Sequence, residues 1–422
     1  MTDMPVRQAA DEEQNTRALV LMCLKRERKE DKIASLGKLT PEDWQAVADV
    51  AVRLGAGPLV FHTINPFIAR LAVPADFHRK MRELYYNSAA RNMRLYRQLV
   101  ETLSAFNREN IAVILLKGAH LAESVYGNPA LRPMADVDIL AKRDDLARID
   151  RILRELGYST SRQSAGCALE HLAPYTKRNA VHIEVHFHIT TPPFSERFDP
   201  AELWPRARKQ KYDGVEVLTL GAEDLLLHLS VHTCADHGCN NGLLPYLDIV
   251  HAVEHYENEI DWKELVNRAG KWGVDRCVVL MLGLVEKMLG LSLPDNARQA
   301  IKEDAGAMVA LAAAEQMIFE KGPYVSPNIA RLFEKGWRTK LKYFLSRVFP
   351  SQETMMVKNT NANAHINIFE LLKLYRARWK GLRQRHSRTI WTALRKNPQA
   401  LAAIALRAKR NSLSDWLRKT ES

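Results

Sequence analysis

The sequence predicts an α+β protein in which a small module of strands and helices near the middle of the chain is flanked by helical regions. Three observations carry this. Apolar residues recur at helical spacing through residues 1–110, then give way to β-branched apolar runs too short for helices, and helical spacing returns from residue 221. The expected organisation is a helical region over 1–90, an α/β domain over 91–220, a helical domain over 221–350, and a linker with a basic helical tail over 351–422.

In chain order, "TRALVLMCLKR" and "TPEDWQAVADVAVRLG" read as short helices. The second starts with Thr40 as N-cap, Pro41 at the first position and acids in the first turn. A longer helical pattern runs through "FHRKMRELYYNSAARNMRLYRQLVETLSAFNREN". "IAVILL" (111–116) and "DVDILA" (136–141) then read as strands. Between them lie Lys117-Gly118, an Ala-rich helix to about Tyr126 and the turn-rich "GNPALRPMA". An amphipathic helix over 143–157 ends at Gly157, whose position suits a C-cap. Two further strands are expected at 171–177 and 181–189. Four helical stretches follow from "GAEDLLLHLSVHTCADHG" to "VDRCVVLMLGLVEKMLG". The Ser/Asn-rich stretch 351–365 reads as a linker, and 366–396 as a basic amphipathic helix or helix pair.

The chain of 422 residues, 46% apolar and 26% charged, has ordinary globular composition and length for two or three domains. No window of about 20 residues lacks charge, and the start is too polar for a secretory signal, so a cytoplasmic location is expected. Five scattered cysteines do not suggest a disulfide framework. The net charge of +12 is localised: residues from 331 onward hold 21 Lys/Arg against five Asp/Glu, and those before hold 40 against 44. Such a tail suits weak contact with nucleic acid or an anionic membrane. A set of solvated helix faces explains it equally well, and helical core contacts would account for Trp379 and Trp391.

The chemistry-bearing pattern is "LLKGAHLAESVYGNPALRPMADVDIL" (115–140) together with "VHIEVHFHI" (181–189). Residues two apart on a strand face the same side. Asp136 and Asp138 therefore point together, as do His182, Glu184, His186 and His188. Buried carboxylates are costly without a compensating charge, and three carboxylates from two strands suit a hard divalent cation, Mg²⁺ (or Mn²⁺). The expectation is that metal rather than protein compensates the pair. Two such ions can clamp the attacking and leaving oxygens of a displacement at phosphorus. Gly118 before a helix would admit a triphosphate to backbone N–H groups, with Lys117 or Arg132 adding positive charge; either could instead be a structural ion-pair partner. His186 is a candidate neighbour of Glu184.

The stretch "LLKGAHLAESVYGNPALRPMADVDILAKRDDLARIDRILRELGY" resembles a group of bacterial nucleotidyltransferase-family proteins in the DNA polymerase β-like superfamily, most without an assigned substrate. "VHIEVHFHI" is similar to the family's acidic strand. "LLLHLSVHTCADHGCNNGLLPYLDIVHAV" is similar to its following helical segment, with His228, His232, His237 and Asp248 at recurring positions. The resemblance covers about residues 40–290. It implies a small mixed sheet, a Gly-containing first motif at Lys117-Gly118, an Asp-x-Asp at Asp136 and Asp138, and a third acid at Glu184. It also departs from the superfamily pattern: Ala119 follows Gly118, sixteen residues separate Ala119 from Asp136, and Glu184 stands where Asp is commoner.

The expected activity is Mg²⁺-dependent transfer of a nucleoside monophosphate from an NTP to a hydroxyl of an unidentified acceptor, with release of pyrophosphate. Asp136 and Asp138 would hold the metals, Glu184 would serve the second metal and the acceptor, and Lys117, Gly118 and Arg132 would position the triphosphate. The alternatives are a catalytically inactive nucleotide-binding or regulatory module, and a small-molecule kinase using the same carboxylates. The cluster of His228, His232, Cys234, His237 and Cys239 invites a zinc reading, since His228 and His232 share a helix face. The Cys spacing argues against it, leaving these histidines to pack at a domain junction or line the cleft.

Overall fold

The computed structural model describes residues 15–160, 170–295, 297–299, 306–319 and 409–418. The chain divides into two units, one of residues 1–319 with 413–422 and one of 320–412; the sheet, the acids and the histidines all belong to the first. The linker expected at 351–365 and the basic helices expected at 366–396 lie outside the described residues.

Helix α1 (residues 15–24) is followed by α2 (Lys29–Leu36), α3 (Pro41–Arg53), α4 (Gly57–Ile64) and the long α5 (Ala75–Arg108). Helix α3 starts as its sequence dictates: the Thr40 side chain accepts from the Asp43 backbone N–H, Asp43 returns the bond to the Thr40 N–H, and Pro41 occupies the first turn. Helix α5 passes unbroken through residues 90 and 91.

Strand β1 (Val113–Leu115) leads through Leu116 into the short α6 (Lys117–His120), which loosens into a π turn over Leu121–Val125. Strand β2 (Asp136–Ala141), helix α7 (Leu146–Glu155) and strand β3 (His182–His186) follow. Gly157 takes the left-handed φ of +87° expected of it. The segment expected as a strand at 171–177 makes only isolated bridges, Tyr175 to Ile183, His171 to His186 and Thr176 to Ser159. A hairpin of β4 (Arg208–Tyr212) and β5 (Val215–Thr219) was not anticipated. Its turn, Asp213-Gly214, has φ of +48° and +79°, the positive values that a tight hairpin turn requires.

The five strands form one mixed sheet in the order β3-β2-β1-β5-β4. Strands β2 and β3, and β1 and β5, are parallel; β1 and β2, and β4 and β5, are antiparallel. One face packs on α5 and α7: Leu95, Leu99 and Phe106 from α5 and Ile149 and Ile152 from α7 join Val137, Ile139, Ile183 and Val185 in a single core. The period of two then places Asp136, Asp138 and Glu184 on the opposite face.

Towards that face lie helices α8 (Ala222–Val231), which ends in a second π turn over His232–Asp236, and α9 (Leu244–His255). Helices α10 (Trp262–Lys271), α11 (Asp275–Leu289) and α12 (Ala307–Phe319) follow in the helical region, and residues 409–418 are also helical. Among the described residues no helix is long and apolar enough to cross a membrane.

Candidate active site

Register brings the acids together. On the parallel pair β2 and β3, Asp138 lies opposite Glu184 and Asp136 opposite His182, so residues 46 positions apart in sequence stand side by side on one face. Asp138 is 4% exposed, while Asp136 and Glu184 are half-buried. His186, two residues beyond Glu184 on the same face, points its Nε2 at both acids, 2.9 Å from Asp138 Oδ1 and 3.6 Å from Glu184 Oε2. Lys117 Nζ donates to Asp138 Oδ1 at 3.1 Å.

Asp138 therefore has protein counter-charges, which corrects the expectation that a cation alone compensates the pair. Burial pushes its carboxyl upward, but Lys117 and the hydrogen bond from His186 outweigh burial and hold it well below the usual carboxylate range. Asp136 responds the other way. Burial and the neighbouring Asp138 and Glu184 charges raise its pKa, more strongly than Lys117 and Arg132 lower it. The neighbouring His186 lowers Glu184 despite burial. For His186, burial is overcome by its two acidic partners, and its pKa is raised.

Lys117 reaches Asp138 because of how the chain leaves β1. The Leu116 N–H donates to the Asp138 carbonyl at 3.0 Å, and Lys117 then adopts φ of +45°, a left-handed conformation uncommon outside glycine. Gly118 is required for a different reason than expected. A Cβ on Gly118 would stand 2.2 Å from Arg132 Nη1 and 3.0 Å from Met134 Cγ, so the glycine makes room for a guanidinium.

Arg132 is itself committed to the protein. Its Nε and Nη2 donate to the two oxygens of Asp248 at 3.2 and 2.8 Å, and Tyr126 donates to Asp248 Oδ1 at 2.8 Å. Asp248 lies on α9 and is fully buried. Its signal in the sequence is an acid inside the apolar run "PYLDIVHAV", a position that demands a buried partner without saying which.

The histidines end near the acids. His232, on the second π turn, sits with its Nε2 3.2 Å from His237 Nε2. Both interact electrostatically with Lys117, and Asp138 with His232 and His237. Cys234 and Cys239 are buried with their sulfurs 3.4 Å apart, turned towards each other.

Asp138, Glu184 and His186 each offer one ligand atom within 4.8 Å of the others. Two carboxylates and an imidazole are a chemically sound donor set for a divalent ion. Fold and site thus describe an α+β protein with a buried acid-and-histidine group on one face of a small mixed sheet. Residues 40–290 match the model of a family described as uncharacterised nucleotidyltransferase, and the chain belongs to that family. No curated protein and no solved structure matches it.

Proposed function

We propose that the protein is a metal-dependent nucleotidyltransferase that moves a nucleoside monophosphate from an NTP to a hydroxyl of an acceptor and releases pyrophosphate. The observation that supports this most is the side-by-side placement of Asp138 and Glu184, with Asp136 adjacent, on a face carrying Lys117. In this reading Asp136, Asp138 and Glu184 bind the divalent ions, Mg²⁺ or Mn²⁺, which supply the charge that an in-line displacement at phosphorus needs. Glu184 also orients the acceptor hydroxyl. Lys117, beside Asp138, would add positive charge for the triphosphate. Arg132 would contribute through position: it packs against Gly118, whose backbone N–H would serve the phosphates. The α/β domain at 91–220 carries these groups, and helices α8 and α9 shape the acceptor side.

Thermal unfolding with each NTP, with and without Mg²⁺, tests this. A ligand that binds only the native state raises apparent stability by mass action, so one NTP should raise Tm only with metal, and Asp136→Asn/Asp138→Asn should lose the rise. No rise with any NTP, from well-folded protein, would overturn the reading.

One observation favours a second reading, a nucleotide-binding regulatory module without turnover. Asp138 is already satisfied by Lys117 and His186, so the arrangement stands without a cation. Metal-independent NTP protection would support it. In either reading the protein works in the cytoplasm, and the basic tail supplies weak contact with nucleic acid or anionic lipid.

A further inference from the structure

The second π turn carries a feature that the proposed reaction does not use. In an α-helix, residues five apart face different sides, but the wider π turn over His232–Asp236 brings His232 and His237 onto one side, and such turns recur at functional sites. Their Nε2 atoms face each other at 3.2 Å. Two imidazole nitrogens bound to one tetrahedral ion at about 2.0–2.1 Å each stand about 3.3 Å apart.

Behind His232 is the support that a metal-bound imidazole needs. Asp236 Oδ2 lies 3.4 Å from His232 Nδ1. Asp236 Oδ1 is held by Thr190 Oγ1 at 3.2 Å, the Thr191 N–H at 3.3 Å and Thr191 Oγ1 at 2.8 Å. A carboxylate on the far nitrogen fixes the tautomer that leaves Nε2 free to bind. One helical turn earlier, His228 is 1% exposed, with its ring centroid 5.9 Å from that of His232. Neither of its ring nitrogens has a hydrogen-bond partner among the described residues, an unmet polar demand at the base of the pair.

We propose that His232 and His237 form a second cation site beside the acidic group, selective for a borderline divalent transition ion of the zinc class, with Asp236 fixing His232 and solvent or phosphate oxygens completing the coordination. The chemistry differs from that of the carboxylates: neutral imidazoles suit zinc-class ions, whereas Mg²⁺ takes oxygen. Lys117 does not bar a cation, because it is paired with Asp138 and Asp236 adds a negative charge. The thiols play no part, being buried and turned to one another.

Titration of the full chain with Co²⁺, followed by the visible absorption of the bound ion and by Zn²⁺ competition, tests the site without nucleotide or turnover. Wild type should bind an ion through nitrogen at a site separate from the acidic group, which takes divalent ions of its own. His237→Asn, at an exposed position, should weaken binding about tenfold or more, His237→Asp should restore part of it, and Asp236→Asn should weaken it about 10–100-fold. Glu184→Gln should leave it in place. Unchanged Co²⁺ affinity in folded His237→Asn, no Co²⁺ binding by folded wild type, or binding abolished by Glu184→Gln alone would each overturn the proposal. None of these outcomes touches the NTP-dependent protection that tests the nucleotidyltransferase reading, so the two can fail separately.

Discussion

Asp248 on α9 accepts from Arg132 Nη2 at 2.8 Å and from Arg132 Nε at 3.2 Å, and this bidentate pair fastens the helical region to the segment between the first π turn and β2. Both side chains are largely removed from solvent, at 14% and 2% exposure. Breaking such a pair strands the other charge. Asp248→Ala should cost about 3–5 kcal/mol, read from urea denaturation, and replacing both partners with apolar residues should recover part of it. A loss of under about 1 kcal/mol, the range of an exposed pair, would show that the linkage is dispensable.

The same guanidinium sets the prediction for Gly118. An alanine there must displace Arg132 Nη1, the end of a side chain that Asp248 holds in place. We expect Gly118→Ala to destabilise by about 1–3 kcal/mol, the usual range for overpacking. Because the cost arises from that restraint, it should shrink in an Asp248→Ala background. Strict additivity between the two substitutions, measured in a double-mutant cycle, would contradict this account.

Asp138→Asn separates chemistry from architecture. The amide oxygen still accepts from Lys117 and His186, so folding should persist with a loss of no more than about 1–3 kcal/mol. The variant lacks the charge that the proposed metal needs. Nucleotidyl transfer and metal-dependent NTP protection should disappear together while the circular dichroism spectrum stays that of wild type. Retained turnover in Asp138→Asn would remove the carboxylates from the mechanism.

Acid sensitivity follows from the buried histidines. Burial pushes His120 down to about 3, and His232 and His251 down to about 4. In the unfolded chain each titrates near 6.5. Between about pH 6.5 and 4 the unfolded state therefore binds more protons, and stability is full above this window and falls as pH is lowered through it. Asp138, held low in the fold, adds a loss below about pH 4, as its unfolded carboxyl takes up protons first. His186, raised in the fold, opposes the trend: its contribution is present below about 6.5 and is lost as pH rises through its folded value.

His251 gives the cleanest check of that slope, since its ring centroid lies 4.0 Å from that of Tyr126 in a tilted contact that phenylalanine can replace. His251→Phe should flatten stability against pH over this range by up to about 1.4 kcal/mol per pH unit, the effect of one proton. An unchanged slope from urea denaturation at pH 5, 6 and 7 would mean that His251 titrates alike in both states.

Residue order alone determined the local features. Helical period, the Thr40-Pro41 start and the Gly157 stop are written in neighbouring residues, as is the shared face of Asp136 with Asp138 and of Glu184 with His186. The β4–β5 hairpin was equally local; its Asp213-Gly214 turn follows a strand too charged, "RKQKY", to register as an apolar run. Tertiary structure decided what depends on register and on distant partners. The pairing of β2 with β3 set Asp138 beside Glu184, and the return of the chain through α9 gave Arg132 to Asp248, 116 positions away. Lys117 and His186 became counter-charges of one carboxylate only when three separate segments met. A buried charge in a sequence announces that it needs a partner, because desolvation is costly, but which partner is settled only by the fold.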